Sequence, residues 1–285
     1  MERLEAAMAK ARAARKATKE GDAPDHEPRQ ASQPETEPAR AAPNARPDAL
    51  WSGLKEISIS NAQARKMRLG ALMGAEFAVP YDILRTRVRR QMRAEGWKRL
   101  AVTSPNKACG KTTVSLNLAL AMARQADLRV MLLDFDLRRP SLAGLMGQQG
   151  GAYDLAALLA GERDFSEHAV RFGPNLAIGL NRRAVPHSAE MLLAPSTASV
   201  LDEIESRFKP DVIIFDTAPM MGNDDNLAFL GQVDCALLVA AADSTSARQV
   251  DSSERDLSGL TNVLGTVMNK CRYLDERDGY GSEYY

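Results

Sequence analysis

The segment Val130–Pro140 constrains the fold of this chain most strongly. It reads as an apolar strand that ends in Asp134 and Asp136, two carboxylates one residue apart. Side chains at positions i and i+2 of a strand face the same side, so both carboxylates project together from the carboxyl end, where open α/β sheets bind ligands. Two anions held side by side call for a cation. The segment therefore predicts a site for a metal ion and phosphate.

A second segment supplies groups that bind phosphate. Leu100–Ser104 reads as a buried strand, and Pro105–Thr113 follows it and leads into a long apolar helix. Strand, loop and helix in this order give the context of a P-loop, with backbone N–H groups at the helix start, the Lys111 ammonium and the Thr112 hydroxyl. Gly110 is the only glycine of the loop. Taken alone, the segment therefore also fits a capped helix that follows a strand.

A third acidic strand end strengthens the nucleotide interpretation. Asp216 ends the apolar run Asp211–Asp216 and is followed by Thr-Ala-Pro219. In a P-loop ATPase this position holds the carboxylate that orients magnesium through water. A lone aspartate at a strand end is more often a cap or half of an ion pair, but three such ends in this order favour a nucleotide site. Asn269 either closes a turn or recognises the base.

The rest of the chain alternates strand and helix signals, which predicts an α/β fold with a mostly parallel, doubly wound sheet. The predicted strands are near-continuous apolar runs, as expected for strands buried on both faces. They lie near 100–104, 129–134, 176–180, 211–216, 234–240 and 263–268. Ahead of them, Pro80–Met92 has helical spacing of its apolar residues, and Pro80 suits the first turn of that helix.

Composition divides the chain into four predicted parts. Residues 1–50 form a disordered arm, since residues 21–48 hold six prolines among charged and small residues and cannot bury enough surface to order. Residues 51–98 form a helical lead-in, and residues 99–272 form the P-loop domain. Residues 273–285 form a flexible tail that is rich in tyrosine.

Charge and apolar content exclude several classes of partner. The 37 Lys and Arg residues balance 37 Asp and Glu residues, which argues against a whole-protein electrostatic grip on nucleic acid. The three scattered cysteines suggest a reducing compartment. No apolar run approaches the roughly 20 residues that span a bilayer, and the N-terminus lacks the apolar core of a signal peptide. We therefore expect any membrane role to come through a partner.

The tail carries a second functional signal. Four of the six tyrosines fall in the last thirteen residues, among Asp, Glu, Gly and Ser: Tyr273, Tyr280, Tyr284 and Tyr285. A polar tail has no core for aromatic rings to fill, so packing does not explain them. They indicate either a docking strip for a partner or, beside a nucleotide site, autophosphorylation. Each phosphate would add about −1.5 to −2 charges at neutral pH.

From about Tyr81 to the C-terminus the chain resembles the bacterial tyrosine kinases (BY-kinases), P-loop autokinases that accompany capsule and exopolysaccharide export. The matching segments are Leu84–Thr86, Thr103–Thr113 as Walker A, Leu133–Pro140 as Walker A′, Tyr153–Gly161, Ser188–Leu193 and Ile213–Pro219 as Walker B. The Asp-x-Asp-x-Arg-Arg-Pro pattern of Walker A′ is the specific part. The related ParA-like and septum-positioning ATPases lack it in this form. They carry a signature lysine where this chain has Asn106, with Lys107 one place out of register.

The resemblance implies ATP and Mg²⁺ as cofactors and assigns roles to individual residues. It makes Lys111, Asp134, Asp136 and Asp216 catalytic, and Thr112, Asp134 and Asp216 the metal-binding residues. The nucleotide would contact Ala108, Cys109, Gly110, Lys111, Thr112, Thr113 and Asn269. One Walker A′ aspartate would take the proton of the attacking tyrosine, and the sequence does not decide which one.

The resemblance also implies partners. It predicts a homo-oligomer such as a ring, in which the tail of one subunit enters the active site of its neighbour. The positions of the family's Glu-x-x-Arg-x-x-Arg motif hold Val79, Asp82 and Arg85, so the contacts of a ring would differ here or require a partner. A separate transmembrane chain-length regulator would activate the kinase, a cognate phosphatase would reset it, and no nucleic acid is expected.

The predicted function is that of an ATP-dependent protein-tyrosine autokinase that phosphorylates the tail in trans. It would regulate the polymerisation or export of a polysaccharide. The predicted location is the cytoplasm, with recruitment to the inner face of the membrane by a partner. Two alternatives remain open at this stage: a ParA-like ATPase that uses ATP as a positioning switch, and a nucleotide-binding scaffold without catalysis.

Overall fold

The computed structural model describes residues 47–148, 150–151 and 153–271. The predicted arm up to residue 46 and the four tail tyrosines, Tyr273, Tyr280, Tyr284 and Tyr285, lie outside the described residues. The first described helix begins at Pro47, so the boundary predicted at residue 50 falls inside it.

Eight strands form one sheet. In chain order they are β1 (Lys55–Ile57), β2 (Arg99–Thr103), β3 (Val130–Phe135), β4 (Ala169–Phe172), β5 (Leu176–Gly179), β6 (Val212–Thr217), β7 (Cys235–Ala241) and β8 (Asn262–Asn269). The α-helices are α1 (Pro47–Gly53), α2 (Asn61–Lys66), α3 (Ala75–Glu95), α4 (Lys111–Ala123), α5 (Leu142–Leu145), α6 (Leu155–Leu159), α7 (Phe165–His168), α8 (Ser188–Leu193), α9 (Pro195–Phe208), α10 (Asp225–Phe229) and α11 (Ala247–Ser258).

The strands lie in the order β1-β4-β5-β3-β6-β2-β7-β8, and every neighbouring pair except β4 and β5 is parallel. The prediction of a mostly parallel sheet is confirmed, and all six predicted strands are present within two residues of the expected positions. Two further strands were not predicted from the sequence. β1 has three residues and buries only Ile57, and β4 is a four-residue strand that pairs antiparallel with β5.

The two faces of the sheet are covered by separate apolar clusters. Leu132 of β3 packs in the cluster that includes helix α4, whereas Met131 and Leu133 pack in the other cluster. This alternation follows from the pleat of a strand, which points successive side chains to opposite faces. Both clusters are buried, so central strands such as β3 and β6 require apolar side chains on both faces.

Helix α3 differs from its predicted form at its start. It begins at Ala75, so Pro80 lies inside the helix and not in the first turn. Proline has no N–H, so the Glu76 carbonyl cannot accept the usual intrahelical bond from it. The predicted apolar face is present: Val88 and Met92 are fully buried, and Leu84 is partly buried and packs against the same cluster. The helix ends at Gly96, which adopts φ +70° and closes it.

The positions of the oligomer motif are used inside this chain. The Asp82 carboxylate pairs with Arg124 and lies 3.4 Å from the Arg85 guanidinium. Arg85 also donates to the carbonyl of Ala121 in α4 at 3.2 Å. These contacts join α3 to α4, the helix that follows the P-loop. No helix in the described part of the chain is long and apolar enough to cross a bilayer.

Trp51 attaches helix α1 to the second face of the sheet. Its side chain is 3% exposed, and its indole Nε1 donates to the Phe208 carbonyl at 2.8 Å. The two rings meet edge to face with centroids 6.3 Å apart. Aromatic burial with a satisfied N–H makes a strong local anchor.

We expect Trp51→Ala to destabilise the protein by about 3–5 kcal/mol, because the change leaves a cavity and an unpaired carbonyl. Trp51→Phe keeps most of the packing and should cost about 1–2 kcal/mol. Denaturant unfolding of the two variants measures both values. A cost below about 1 kcal/mol for Trp51→Ala would show that α1 is not an integral part of the folded unit.

Candidate functional site

The sheet brings the three predicted motifs together at one edge, the one formed by the carboxyl ends of its parallel strands. Strands β3, β6 and β2 are neighbours, and Asp134 stands opposite Asp216 in the register of β3 and β6. Val102, just before the P-loop, stands opposite Asp216 on the other side. The carboxyl ends of these parallel strands therefore hold the acidic residues and the phosphate loop together, as expected for a ligand site in an open α/β sheet.

The P-loop takes its shape from two left-handed residues and one side-chain contact. Ala108 has φ +65° and Gly110 has φ +91°. A Cβ atom on Gly110 would lie 2.2 Å from the Asn269 amide nitrogen, so this position requires glycine for both conformation and space. Asn269 Nδ2 donates to the Cys109 carbonyl at 2.8 Å. Strand β8 thus holds the loop in place, and the loop presents its backbone N–H groups at the start of α4.

Lys111 lies among the three carboxylates. Its Nζ atom is 2.8 Å from Asp136 Oδ2 and 3.7 Å from Asp216 Oδ1, and the residue is 8% exposed. Burial works to lower the pKa of this ammonium, but the carboxylates of Asp216 and Asp136 outweigh it and raise the pKa above its usual value. Lys111 therefore stays positively charged at neutral pH.

Asp134 and Asp216 each have one carboxylate oxygen in use and one left over. Asp134 Oδ2 accepts from the backbone N–H groups of Ser141 (3.1 Å) and Leu142 (2.9 Å). Asp216 Oδ1 lies 3.2 Å from the Ser115 hydroxyl. Asp134 Oδ1 and Asp216 Oδ2 are buried and have no hydrogen-bond partner within the part of the chain that the structure describes.

The titration of both groups reflects their surroundings. Burial raises the pKa of Asp134 well above its usual range, and the Asp216 charge adds to that effect. Burial also raises the pKa of Asp216, although the Lys111 charge opposes the rise. Each carboxylate therefore lacks enough positive charge around it, since one lysine faces three acids.

These two unpaired oxygens fit a hard cation such as Mg²⁺. Magnesium takes oxygen ligands and is usually held by one or two carboxylates together with substrate phosphates. Thr112, the remaining predicted metal-binding residue, lies beside Asp216, and its hydroxyl is 3.1 Å from the Ser141 hydroxyl. The residues that could hold the ion are thus Thr112 at the start of α4 and Asp134 and Asp216 at the ends of β3 and β6.

Asp136 occupies a different position from Asp134. It is 4% exposed and lines a cavity of about 700 Å³ beside the P-loop. Its Oδ1 atom accepts from the backbone N–H of Arg139 at 3.1 Å, and its Oδ2 atom accepts from Lys111. Asp134, by contrast, is fully buried beneath the loop. Of the two Walker A′ aspartates, Asp136 is the one that lines the cavity.

Comparison with known proteins agrees with this geometry. Residues 100–278 match the model of the CobQ/CobB/MinD/ParA nucleotide binding domain. The chain belongs to this family. That match covers the P-loop, all three aspartates and Asn269.

Individual relatives give a more specific comparison than the family model. EpsB of Ralstonia solanacearum is 29% identical over 206 residues, which are 70% of this chain and 26% of EpsB. The chain therefore spans about a quarter of that relative's length. Tyrosine-protein kinase CpsD of Streptococcus pneumoniae is 28% identical over 204 residues, 70% of this chain and 88% of CpsD. The solved kinase domain of the Escherichia coli tyrosine kinase ETK superposes with a TM-score of 0.61 at 25% identity, covering 69% of this chain and 78% of that domain.

Sequence reasoning missed several residues that shape this CobQ/CobB/MinD/ParA-type site. Ser115, one helical turn after Lys111, has its hydroxyl 2.9 Å from the Lys111 carbonyl and 3.2 Å from Asp216. The spacing of four residues on a helix was the available signal. Ser141 contributes its backbone to Asp134 and its hydroxyl to Thr112. No pattern distinguished it from any other loop serine.

Arg138 forms ion pairs with residues other than the Walker A′ aspartates Asp134 and Asp136. Its Nε atom donates to Asp225 Oδ1 at 3.0 Å, and its Nη2 atom donates to Asp224 Oδ1 at 2.7 Å. Ser188 also donates to Asp225, at 2.8 Å. The arginine therefore ties the loop after β3 to the start of α10, and leaves Asp134 and Asp136 to Lys111 and the backbone.

Asn269 provides a test of how this family's nucleotide site is held. We expect Asn269→Ala to weaken ATP binding by about tenfold, because the phosphate loop loses the hydrogen bond that fixes Cys109. Asn262→Ala is the matched control: Asn262 Nδ2 donates to the Asp234 carbonyl at 2.8 Å, at the other end of the same strand. Titration with a fluorescent ATP analogue measures both. Equal losses in the two variants, or none, would contradict a loop-positioning role for Asn269.

Proposed function

We propose that this protein is an ATP-dependent protein-tyrosine autokinase that phosphorylates tyrosines of its own tail. The observation that carries the proposal is the cluster of Lys111 with Asp134, Asp136 and Asp216 under a P-loop. Relatives named tyrosine-protein kinase support it, since CpsD matches along 88% of its length. The cavity lined by the P-loop also extends to Asp136 and Arg139, where a substrate hydroxyl would meet the nucleotide.

Each residue of the cluster has a proposed role with ATP. The backbone N–H groups of residues 108–113 would bind the phosphates, and the Lys111 ammonium would turn from Asp136 towards the β- and γ-phosphates. Thr112, Asp134 and Asp216 would hold Mg²⁺. When bound, Mg²⁺ offsets the negative charge that develops on the transferring phosphoryl group. Asn269, whose side chain donates to the phosphate loop at Cys109, would also lie near the base.

We assign the role of proton acceptor to Asp136. A tyrosine hydroxyl has an ordinary pKa of about 10, so it needs a base within hydrogen-bond reach to attack at neutral pH. Asp136 faces the cavity, and would become free to accept a proton once Lys111 turns to the phosphates. The phenol oxygen forms the new bond to the γ-phosphorus, the bond to the bridging oxygen breaks, ADP leaves, and the proton passes to Asp136.

The position of the tail favours transfer between chains for its first tyrosine. Cys271 lies two residues beyond the end of β8, and four strand steps separate β8 from β3, which Asp136 follows directly. At about 4.8 Å per step this is roughly 19 Å. The Cα atom of Tyr273, two residues beyond Cys271, can lie at most about 7 Å from the Cα atom of Cys271. A neighbouring chain would therefore supply the site for Tyr273, whereas Tyr280, Tyr284 and Tyr285 also have the length to return to their own.

The wider role rests on the resemblance to the BY-kinases. We propose regulation of capsular or exopolysaccharide polymerisation or export, with the protein in the cytoplasm and recruited to the inner face of the membrane. A separate transmembrane chain-length regulator would activate it, and a cognate phosphatase would reverse the modification. The chain would act as a homo-oligomer, such as a ring. Because Asp82 and Arg85 contact α4 or its end within the chain, such a ring would use other surfaces.

Autophosphorylation is tested with purified full-length protein and Mg·ATP, read by anti-phosphotyrosine antibody with and without the cytoplasmic segment of a candidate activator. We expect Lys111→Met to abolish the signal, because phosphate positioning and charge compensation are both lost. A variant with Tyr273, Tyr280, Tyr284 and Tyr285 changed to Phe should also lose it. Lys98→Met removes an exposed lysine at the opposite edge of the sheet and should keep the signal.

If the wild-type chain binds ATP but gives no phosphotyrosine with or without the activator segment, the chain is a nucleotide switch or scaffold and not an autokinase. If the signal persists in the variant without tail tyrosines, the kinase assignment stands and the assignment of its substrate residues is wrong. Circular dichroism of Lys111→Met confirms that the variant is folded.

A further inference from the structure

A second cavity lies at the same edge of the sheet as the candidate active site. Its volume is about 340 Å³, and its lining includes Tyr153, Asp154, Arg163, Arg182 and Arg183. Tyr153 is 7% exposed, so most of its ring is packed. The three arginines are exposed, with the Arg183 side chain 79% exposed, and an anion in this small cavity would reduce the repulsion among their charges.

The fold places this arginine cavity directly beside the Walker A′ segment. Arg182 and Arg183 follow strand β5, which is the neighbour of β3. Two residues further on, the Val185 N–H donates to the Leu137 carbonyl at 2.9 Å. Leu137 immediately follows Asp136. A ligand in the arginine cavity would therefore contact the segment after β5, which is hydrogen-bonded to the loop that carries the proposed proton acceptor.

The charge of the cavity is only partly balanced. Arg183 lies 3.5 Å from the Asp154 carboxylate, which also accepts from the Ala157 N–H at the start of α6. Arg182 donates to a neutral partner, the Gly151 carbonyl, at 3.2 Å. Neither Arg182 nor Arg163 forms an ion pair with a carboxylate in the described part of the chain. The cavity therefore carries an excess of about two positive charges.

A buried amide adds an unused donor next to the arginines. Asn181 is 1% exposed, and its Oδ1 atom accepts from the backbone N–H groups of Leu155 (3.4 Å) and Arg183 (3.3 Å). Its Nδ2 atom is buried and has no hydrogen-bond partner among the described residues. Buried polar atoms are rarely left unpaired in the absence of a ligand or water. Asn181 thus joins the start of α6 to Arg183 and leaves a donor free beside them.

We infer that the arginine cavity binds a phosphotyrosine of the chain's own tail, an inference that rests on the proposed autokinase function. A phosphate group carries about −1.5 to −2 charges and accepts paired hydrogen bonds from guanidinium groups. The excess positive charge of the cavity is similar in size and opposite in sign to the charge of one phosphotyrosine. The unmodified tail is itself acidic, since residues 272–285 hold two aspartates and two glutamates against two arginines.

The reach of the tail selects among its tyrosines. Five strand steps separate β8 from β5, or roughly 24 Å at about 4.8 Å per step. Tyr280 is nine residues beyond Cys271 and reaches about 30 Å when extended, whereas Tyr273 reaches about 7 Å. Phosphorylated Tyr280, Tyr284 or Tyr285 therefore spans the distance and phosphorylated Tyr273 does not. A tail held in this way is withdrawn from the active site of a neighbouring chain.

The test uses full-length protein with Tyr273, Tyr280, Tyr284 and Tyr285 changed to Phe, so that its own tail stays unmodified. Two fluorescent synthetic peptides cover residues 272–285, one phosphorylated chemically at Tyr280 and one unmodified, and anisotropy reports their binding at fixed salt. We expect the phosphopeptide to bind at least about tenfold more tightly than the unmodified peptide. Inorganic phosphate should compete only weakly, because it lacks the aromatic ring and the acidic flanks.

Arginine variants of this protein locate the site. Introducing both Arg182→Ala and Arg183→Ala into the variant without tail tyrosines should weaken phosphopeptide binding by at least about tenfold. Arg182→Lys with Arg183→Lys keeps the charge but loses the paired hydrogen bonds, and should weaken it by a smaller factor. Arg93→Ala is the matched control, because Arg93 is an exposed arginine at the end of α3, towards the opposite edge of the sheet. This control should bind the phosphopeptide as the parent does.

Three results would overturn the inference: equal binding of the two peptides, unchanged binding after the double alanine change, or competition by inorganic phosphate at the same concentration as the peptide. Because the phosphate is attached chemically, the test does not depend on kinase activity. Phosphotyrosine formation by the wild-type chain together with failed phosphopeptide binding would reject the inference and leave the proposed function standing.

Discussion

The ion pair between Lys111 and the carboxylates at the ends of β3 and β6 is the interaction on which the site depends. Three carboxylates face one ammonium, with Asp136 at 2.8 Å and Asp216 at 3.7 Å. Burying charge is costly unless it is paired. Burial raises the pKa of Asp134 and that of Asp216. The four groups together carry an excess of two negative charges when all are ionised. A divalent cation removes it.

The fold holds these charged groups close together. Two apolar strands buried on both faces carry Asp134 and Asp216 to opposite positions in the register. Strand β2 then delivers the P-loop to the same edge, and Asn269 of β8 holds its backbone. Apolar burial along the strands offsets the cost of the acidic ends. The same edge continues to β5, where the excess charge is positive at Arg182 and Arg183.

Much of this could be predicted from the sequence because the signals are local. Long apolar runs predict buried parallel strands, and a carboxylate at the end of such a run is costly unless it binds a cation or a donor. The structure has Asp134 and Asp216 opposite each other near the ends of β3 and β6, and the roles predicted for them remain predictions. The short strands β1 and β4 carry no periodic signal over three or four residues. The proline inside α3 was placed in the first turn because proline is most common there.

The contacts between distant segments could not be predicted. Arg138 pairs with Asp224 and Asp225, which lie 86 and 87 residues away in the chain. Asn269 reaches Cys109 across 160 residues. In the arginine cavity, Arg182 reaches the Gly151 carbonyl across 31 residues. Such pairs depend on strand order, and alternation of strands and helices alone does not specify that order.

The most direct test of the central claim is the dependence of ATP affinity on Mg²⁺, measured by calorimetry with excess Mg²⁺ and with a chelator. We expect Mg²⁺ to strengthen ATP binding to the wild-type chain by at least about tenfold. Asp216→Asn should bind ATP with the chelator present but lose most of that gain. Asp211→Asn, at the opposite end of the same strand and bonded to the Arg129 backbone, should keep it. Equal affinity with and without Mg²⁺ in the wild-type chain would contradict the claim that the unpaired oxygens of Asp134 and Asp216 form a magnesium site.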